Sequence, residues 1–183
     1  MKKDWTITKL IASGSLGVLL ASIMLGGGIL ASVAGTFAAS GIIGIFAESA
    51  ILALTPLVIP VFGSSSIAGL VFGFLVIPLP VMGTPGFFPK IFSGLLMGLG
   101  ADTIHYFFKK NKLAATILAG AVTQTIIALV LFGVVKSLGF QGMEKIPNFF
   151  LTPPGLLIGE LVASIGGGIG GLIGWKIYKK KIY

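Results

Sequence analysis

The chain has 183 residues, of which 55% are hydrophobic and only 10% charged, and its mean hydropathy is +1.07. A soluble domain of this size carries about 25% charged residues, so this composition excludes a water-solvated globular protein and points to lipid as the solvent. The net charge of +8 comes entirely from lysine, with no arginine to read base edges or grip phosphate bidentately, which argues against nucleic acid as a partner.

A spanning helix needs roughly 20 apolar residues, because the hydrocarbon core is about 30 Å thick and an α-helix rises 1.5 Å per residue. Six runs qualify, at about 10–33, 41–62, 65–81, 89–108, 112–138 and 154–178. They are continuously apolar, without the alternation of a membrane barrel, and open backbone cannot sit in lipid. The expected fold is therefore an all-α integral membrane protein, a single transmembrane domain over residues 1–183.

The first run starts behind Lys2 and Lys3, and Ser32-Val33-Ala34 resembles a cleavage site. It is longer than the apolar core of a usual signal peptide, so it is expected to stay as a helix. The third run is the shortest and ends at Pro78 and Pro80, and the second joins it through Gly63-Ser64, a tight uncharged connection.

Lysine sets the orientation. Ten of the thirteen lysines form three groups: Lys2, Lys3 and Lys9; Lys109, Lys110 and Lys112; and Lys176, Lys179, Lys180 and Lys181. An N-in, C-in topology places all ten on the cytoplasmic side and leaves Lys90, Lys136 and Lys145 outside. Residues 78–89 then form a stiff, proline-rich outer loop. Residues 139–153, with Asn148, Phe149 and Phe150, form a longer outer loop, either a lid over the bundle or an amphipathic segment on the headgroups.

Cysteine is absent and His105 is the single histidine, so neither a thiolate metal site nor a histidine-based metal cluster is expected, and no cofactor is implied. A Ser-His-Asp set has one candidate base, at a helix end, and an enzyme is not expected. No Gly-rich loop ends in Gly-Lys-Ser/Thr, so the chain has no ATP engine of its own.

The carboxylates are more informative. Glu48 and Glu160 lie inside apolar runs, where a charge at the bilayer centre costs at least ~2.5–3.5 kcal/mol. Counted from the outer ends of their helices, both fall roughly 10 Å below the outer surface, on one level. Gln124, flanked by Thr123 and Thr125, lies near the middle of the fifth run, and with Lys90 these groups would line a polar, outward-facing pocket. The alternative is mutual satisfaction: a glutamate paired with Lys90, or a protonated glutamate bonded to Gln124. Asp102 and His105 share a helix face near Lys109 and Lys110, expected as a local ion pair, with a proton relay as the other reading.

Small residues recur at four-residue spacing: Ser13, Gly17 and Ala21 on the first helix, Gly94 and Gly98 on the fourth, and six glycines from Gly166 to Gly174 on the sixth. Such faces let helix backbones approach closely, inside the bundle or against another membrane protein.

The stretch from Phe62 to Lys110 carries a family likeness. It runs Phe-Gly-Ser-Ser-Ser-Ile-Ala-Gly-Leu-Val-Phe-Gly, continues through the Pro-rich loop Gly83-Thr84-Pro85-Gly86-Phe87-Phe88-Pro89-Lys90, and ends in the Gly-rich fourth helix. With the size and the six-helix plan, this resembles the substrate-binding (S) components of energy-coupling factor (ECF) transporters, multi-pass proteins of prokaryotic cell membranes. The resemblance implies capture of a vitamin or similar micronutrient from the outer side. It also implies a transmembrane coupling protein and two cytoplasmic ATPases as partners. The family's docking pattern on the first helix, Ala-xxx-Ala, falls on Ser13 and Gly17, with Ala21 continuing the row. Glu48 and Glu160 would contact a cationic or donor-rich ligand, with Gln124, Lys90 and Asn148 adding polar contacts. Phe87, Phe88, Phe149 and Phe150 would cover its apolar part. A self-sufficient proton-coupled transporter or small channel is the alternative.

Overall fold

In a computed structural model, residues 4–33, 37–79, 85–138 and 152–182 are described, and among them every regular element is helical. Six helices follow in order: α1 Ile7–Val33, α2 Phe37–Val58, α3 Ser64–Leu75, α4 Pro89–Phe107, α5 Lys112–Leu138 and α6 Pro153–Ile182. Four contain segments long and apolar enough to cross a membrane: Ile7–Leu30, Gly41–Val58, Lys112–Val130 and Pro154–Lys180.

The third helix departs from expectation. It has 12 residues, about 18 Å of rise, and does not reach across a hydrocarbon core by itself. Pro78 explains the early stop, because proline disfavours the helical conformation of the residue before it. The second helix also ends earlier than its apolar run, at Val58. Pro56 within it removes a backbone donor, Pro60 follows, and the chain turns into α3 through Gly63, whose φ of 93° suits glycine alone.

α2 is the hub. Among the described residues it touches all five other helices, which form an arc around it in the order α1, α3, α4, α5, α6. The core lies where this arc closes on α2, built from Leu20 and Met24 of α1, Leu52 and Ala53 of α2, Phe72 of α3, Met97 and Ala101 of α4 and Ala119 of α5.

In lipid the hydrophobic effect does not pair helices, so close backbone contact and hydrogen bonds must. Glycine supplies the contact. A Cβ on Gly69 would stand 2.0 Å from the Gly94 carbonyl oxygen, one on Gly98 2.1 Å from that of Ser65, and one on Gly120 2.2 Å from that of Gly167. These backbones pass one another with no room for a methyl group. The glycines of α4 and α6 are therefore used within the bundle: Gly94 and Gly98 against α3, Gly167 and Gly171 against α5, Gly170 and Gly174 against α2.

Lysine marks one end of the bundle. Lys9 at the start of α1, Lys109 and Lys110 after α4, Lys112 at the start of α5, and Lys176, Lys179 and Lys180 at the end of α6 lie there with exposed Trp5 and Tyr106. Lysines and amphipathic rings together are the usual furnishing of a membrane–water interface.

Candidate functional site

The polar centre forms where α2, α5 and α6 meet. Glu48 of α2 is 2% exposed, and the Gln124 amide of α5 donates to its Oε2 at 3.3 Å. The same amide lies 3.1 Å from Ser49 Oγ and 3.3 Å from the Ile45 carbonyl. A primary amide has two N–H donors, so Gln124 shares them over three acceptors on α2 and ties the two helices together.

A second set of bonds lies beside the first. Ser164 of α6 donates to Glu160 Oε1 at 3.2 Å, one helical turn away, and its Oγ lies 2.9 Å from Thr125 Oγ1. A hydroxyl has a single proton. With that proton on Glu160, Ser164 can accept from Thr125, whose own single proton is shared with the Ala121 carbonyl at 3.3 Å, so α5 reaches the carboxylate through Ser164. Gln124 and Thr125 are neighbours on α5, so one turn of this helix addresses both glutamates, Glu48 directly and Glu160 through Ser164.

Glycine makes this crossing possible. A Cβ on Gly167 would stand 2.8 Å from Gln124 Cγ, and one on Gly170 2.8 Å from Ser49 Cβ. Gly44 lies beneath Glu48, with Oε1 3.8 Å from where its Cβ would be. Side chains at Gly167 and Gly170 would displace Gln124 and Ser49.

The two glutamates do not share one level. α2 begins at Phe37, earlier than its apolar run suggested, so Glu48 is eleven residues in, about 16 Å from the helix start. Glu160 is seven residues into α6, about 10 Å. The α2–α6 contacts show the same offset, since Gly166 packs on Ile45 and Gly170 on Ser49; Ser164 therefore lies nearer the start of α6 than Glu48's level, and it carries the connection one turn further to Glu160.

Lys90 lies elsewhere. It is 0% exposed, and its ammonium donates to the carbonyls of Val76 at 3.0 Å, Ile77 at 3.4 Å and Leu79, just past the end of α3. Its three protons close the C-terminus of a helix rather than face a glutamate. Phe88 is exposed and Phe87 half-buried ahead of α4. Asn148, Phe149 and Phe150 lie outside the described residues, as do residues 34–36, 80–84 and 139–151.

Ser13, Gly17 and Ala21 are buried in the bundle. A Cβ on Gly17 would stand 2.4 Å from the Ala68 carbonyl oxygen, so this face of α1 is occupied by α3. Ser13 Oγ is the one buried side-chain polar atom among the described residues without a hydrogen-bond partner.

The ion pair expected between Asp102 and the lysines after it is replaced by a different contact. Asp102 accepts from the backbone N–H of Ser65 at 3.1 Å and of Ser66 at 2.9 Å, and from the Ser66 hydroxyl at 2.7 Å, with Ser64 Oγ at 3.5 Å. The orphan amides and positive dipole end of α3 outcompete lysines that can remain in water. His105 Nε2 lies 2.9 Å from the Ala53 carbonyl, which can only accept, so that nitrogen carries a proton. The carbonyl of Leu52, left without its donor by Pro56, receives the Ser65 hydroxyl at 2.7 Å.

Sequence reasoning missed the roles of Ser64, Ser65 and Ser66. A serine run ahead of an apolar segment is a capping signal, but the acid that completes it comes from another helix. Comparisons with protein-family models, curated proteins and solved structures give no match.

Proposed function

We propose that this chain is the membrane-embedded capture subunit of an ECF-type importer, with six membrane segments, both ends in the cytoplasm and a binding site reached from the outer side. The observation that carries the reading is the Glu48–Gln124 pair, joined at the next residue of α5 to Ser164 and Glu160. Carboxylates inside an apolar bundle are retained where a polar cavity or ligand needs them. Lys90 is engaged with α3, so a cationic or donor-rich ligand is the natural complement to the pair. Glu160, nearer the outer end, meets the ligand first, and Glu48 closes on its inner part.

The buried position of Glu48 also favours a second reading, a self-sufficient proton-coupled transporter in which this carboxylate takes up and releases the coupling proton. Reconstitution separates the two. The purified chain alone in proteoliposomes should bind its ligand without accumulating it, with or without a pH gradient. Accumulation driven by a proton gradient in the absence of any partner would establish the second reading instead.

A further inference from the structure

The lysine-rich end of the bundle holds a cavity that the capture reading does not use. It encloses about 680 Å³ between the start of the chain, the end of α2, the end of α4 and the start of α5. Sites for small molecules occupy about 300–1,000 Å³, so this space is large enough for one. It opens because α2 stops at Val58 while α4 continues to Phe107. Leu57, Pro60 and Val61 line it with apolar surface, and Lys109 and Lys112 bring ammonium groups to it.

The charges around it are unevenly committed. Asp102 lines the cavity, but both of its oxygens accept bonds from the start of α3. His105 is held by Ala53. The lysines are held by rings instead: Lys109 Nζ stands 3.8 Å from the Tyr106 ring centre and Lys112 Nζ 5.9 Å from that of Tyr178. A ring face attracts an ammonium through its quadrupole and leaves N–H donors for an anion. Asp4 is the remaining acid of the lining. Against it stand these two lysines, Lys9 (whose ammonium bonds the Asp4 carbonyl at 2.7 Å), Lys110 nearby and the positive end of α5.

We propose that this cavity binds the headgroup of an anionic phospholipid from the adjoining leaflet, with the phosphate on Lys109 and Lys112 and the glycerol and upper acyl carbons against Leu57 and Pro60. A basic pocket between membrane helices is the form that recognition of acidic headgroups takes, and the inner leaflet supplies such lipids. A soluble phosphate ester shares the anionic chemistry. The apolar lining and the exposed Phe62 and Phe108 beside the lysines select the lipid. This site stands whether or not the polar centre between α2, α5 and α6 captures a ligand.

The test is native mass spectrometry of the full chain after exchange into mixed phosphatidylglycerol and phosphatidylcholine, followed by mild delipidation. The wild type should retain one phosphatidylglycerol in preference to phosphatidylcholine. Lys109→Gln with Lys112→Gln should lower that retention about thirtyfold, the equivalent of roughly 2 kcal/mol for two lysines near an acidic membrane surface. Lys179→Gln with Lys180→Gln, an equal loss of charge outside the cavity, should leave it within about twofold. Leu57→Trp, which fills the cavity at constant charge, should lower it as well. Equal retention of both lipids, equal loss in the two double variants, or displacement of the lipid by inorganic phosphate alone would each overturn the proposal.

Discussion

Lys90 and Asp102, twelve residues apart on α4, hold opposite ends of α3: the ammonium on the carbonyls after its last turn, the carboxylate on the amides of its first. Twelve residues is also the length of α3, so two antiparallel helices of matched rise carry the charges to the two ends. Each charge opposes the helix dipole in the favourable sense, negative at the N-terminus and positive at the C-terminus. A helix too short to span the core thus has both its first amides and the turn after its last residue held by its neighbour.

This arrangement gives the first expected outcome. Asp102→Asn should destabilise the protein in detergent by about 2 kcal/mol or more, since hydrogen bonds to a charged group are the stronger kind and an amide turns donors toward donors. Lys90→Met should have an effect of similar size, about 1–3 kcal/mol, because the Leu79 carbonyl loses its ammonium donor while those of Val76 and Ile77 keep only the backbone N–H groups of Leu79 and Gly86. Unfolding monitored by fluorescence would measure both. The exchange Lys90→Asp with Asp102→Lys should be worse than either, because each charge would then sit at the wrong pole of α3.

Close packing gives the second. Gly98→Ala must move α4 off the Ser65 carbonyl, and about 2 kcal/mol of lost stability is expected from such overpacking. Gly26 of α1 has open space where its Cβ would be. Gly26→Ala should therefore be neutral, or stabilising by up to about 1 kcal/mol through helix propensity. Thermal melts of the two variants side by side would check the contrast, and equal effects would contradict the helix contacts.

The third concerns Ser13. Its buried hydroxyl has no partner among the described residues, so Ser13→Ala should leave stability unchanged or raise it by about 1 kcal/mol. Ser65→Ala should do the opposite, since it strands the Leu52 carbonyl that Pro56 already deprives of a donor. The two substitutions remove the same atom from the same bundle, and only its partner differs.

The fourth concerns the polar centre. Gly167→Ala would place a methyl group against the Gly120 carbonyl and the stem of Gln124, moving α6 off α5 without touching a charged atom. It should displace the amide from Glu48 and weaken ligand binding about tenfold, the equivalent of one net hydrogen bond to a charged group. Gly28, also on α1, has nothing near its Cβ direction, and Gly28→Ala should leave binding unaltered. Titration of the ligand against both variants would separate the outcomes.

Much of the architecture was legible because lipid imposes simple rules. Uninterrupted apolar runs bounded by lysine and proline specify helices, and the starts of α4 and α5 fall where the runs begin. What could not be read came from contacts between distant segments. The short α3 needs Lys90 and Asp102, residues that read locally as a pocket lysine and an ion-pair acid. The depth of Glu48 shifted because α2 starts within the small residues ahead of its apolar run. Gln124 beside Glu48 was among the arrangements the sequence allowed, whereas Ser164 as the link to Glu160 was not, since serine in an apolar helix carries no signal of its own. The glycines of α6 declared close packing without saying against which helix.

The central claim is that Glu48 and Glu160 serve a captured ligand, and the most direct measurement is identification of the small molecule released when the purified protein is denatured. Wild type should release one vitamin-sized, cationic or donor-rich compound in near-stoichiometric amount, and Glu48→Gln and Glu160→Gln, folded to the same extent, should release far less. Equal release from wild type and both variants would contradict the claim.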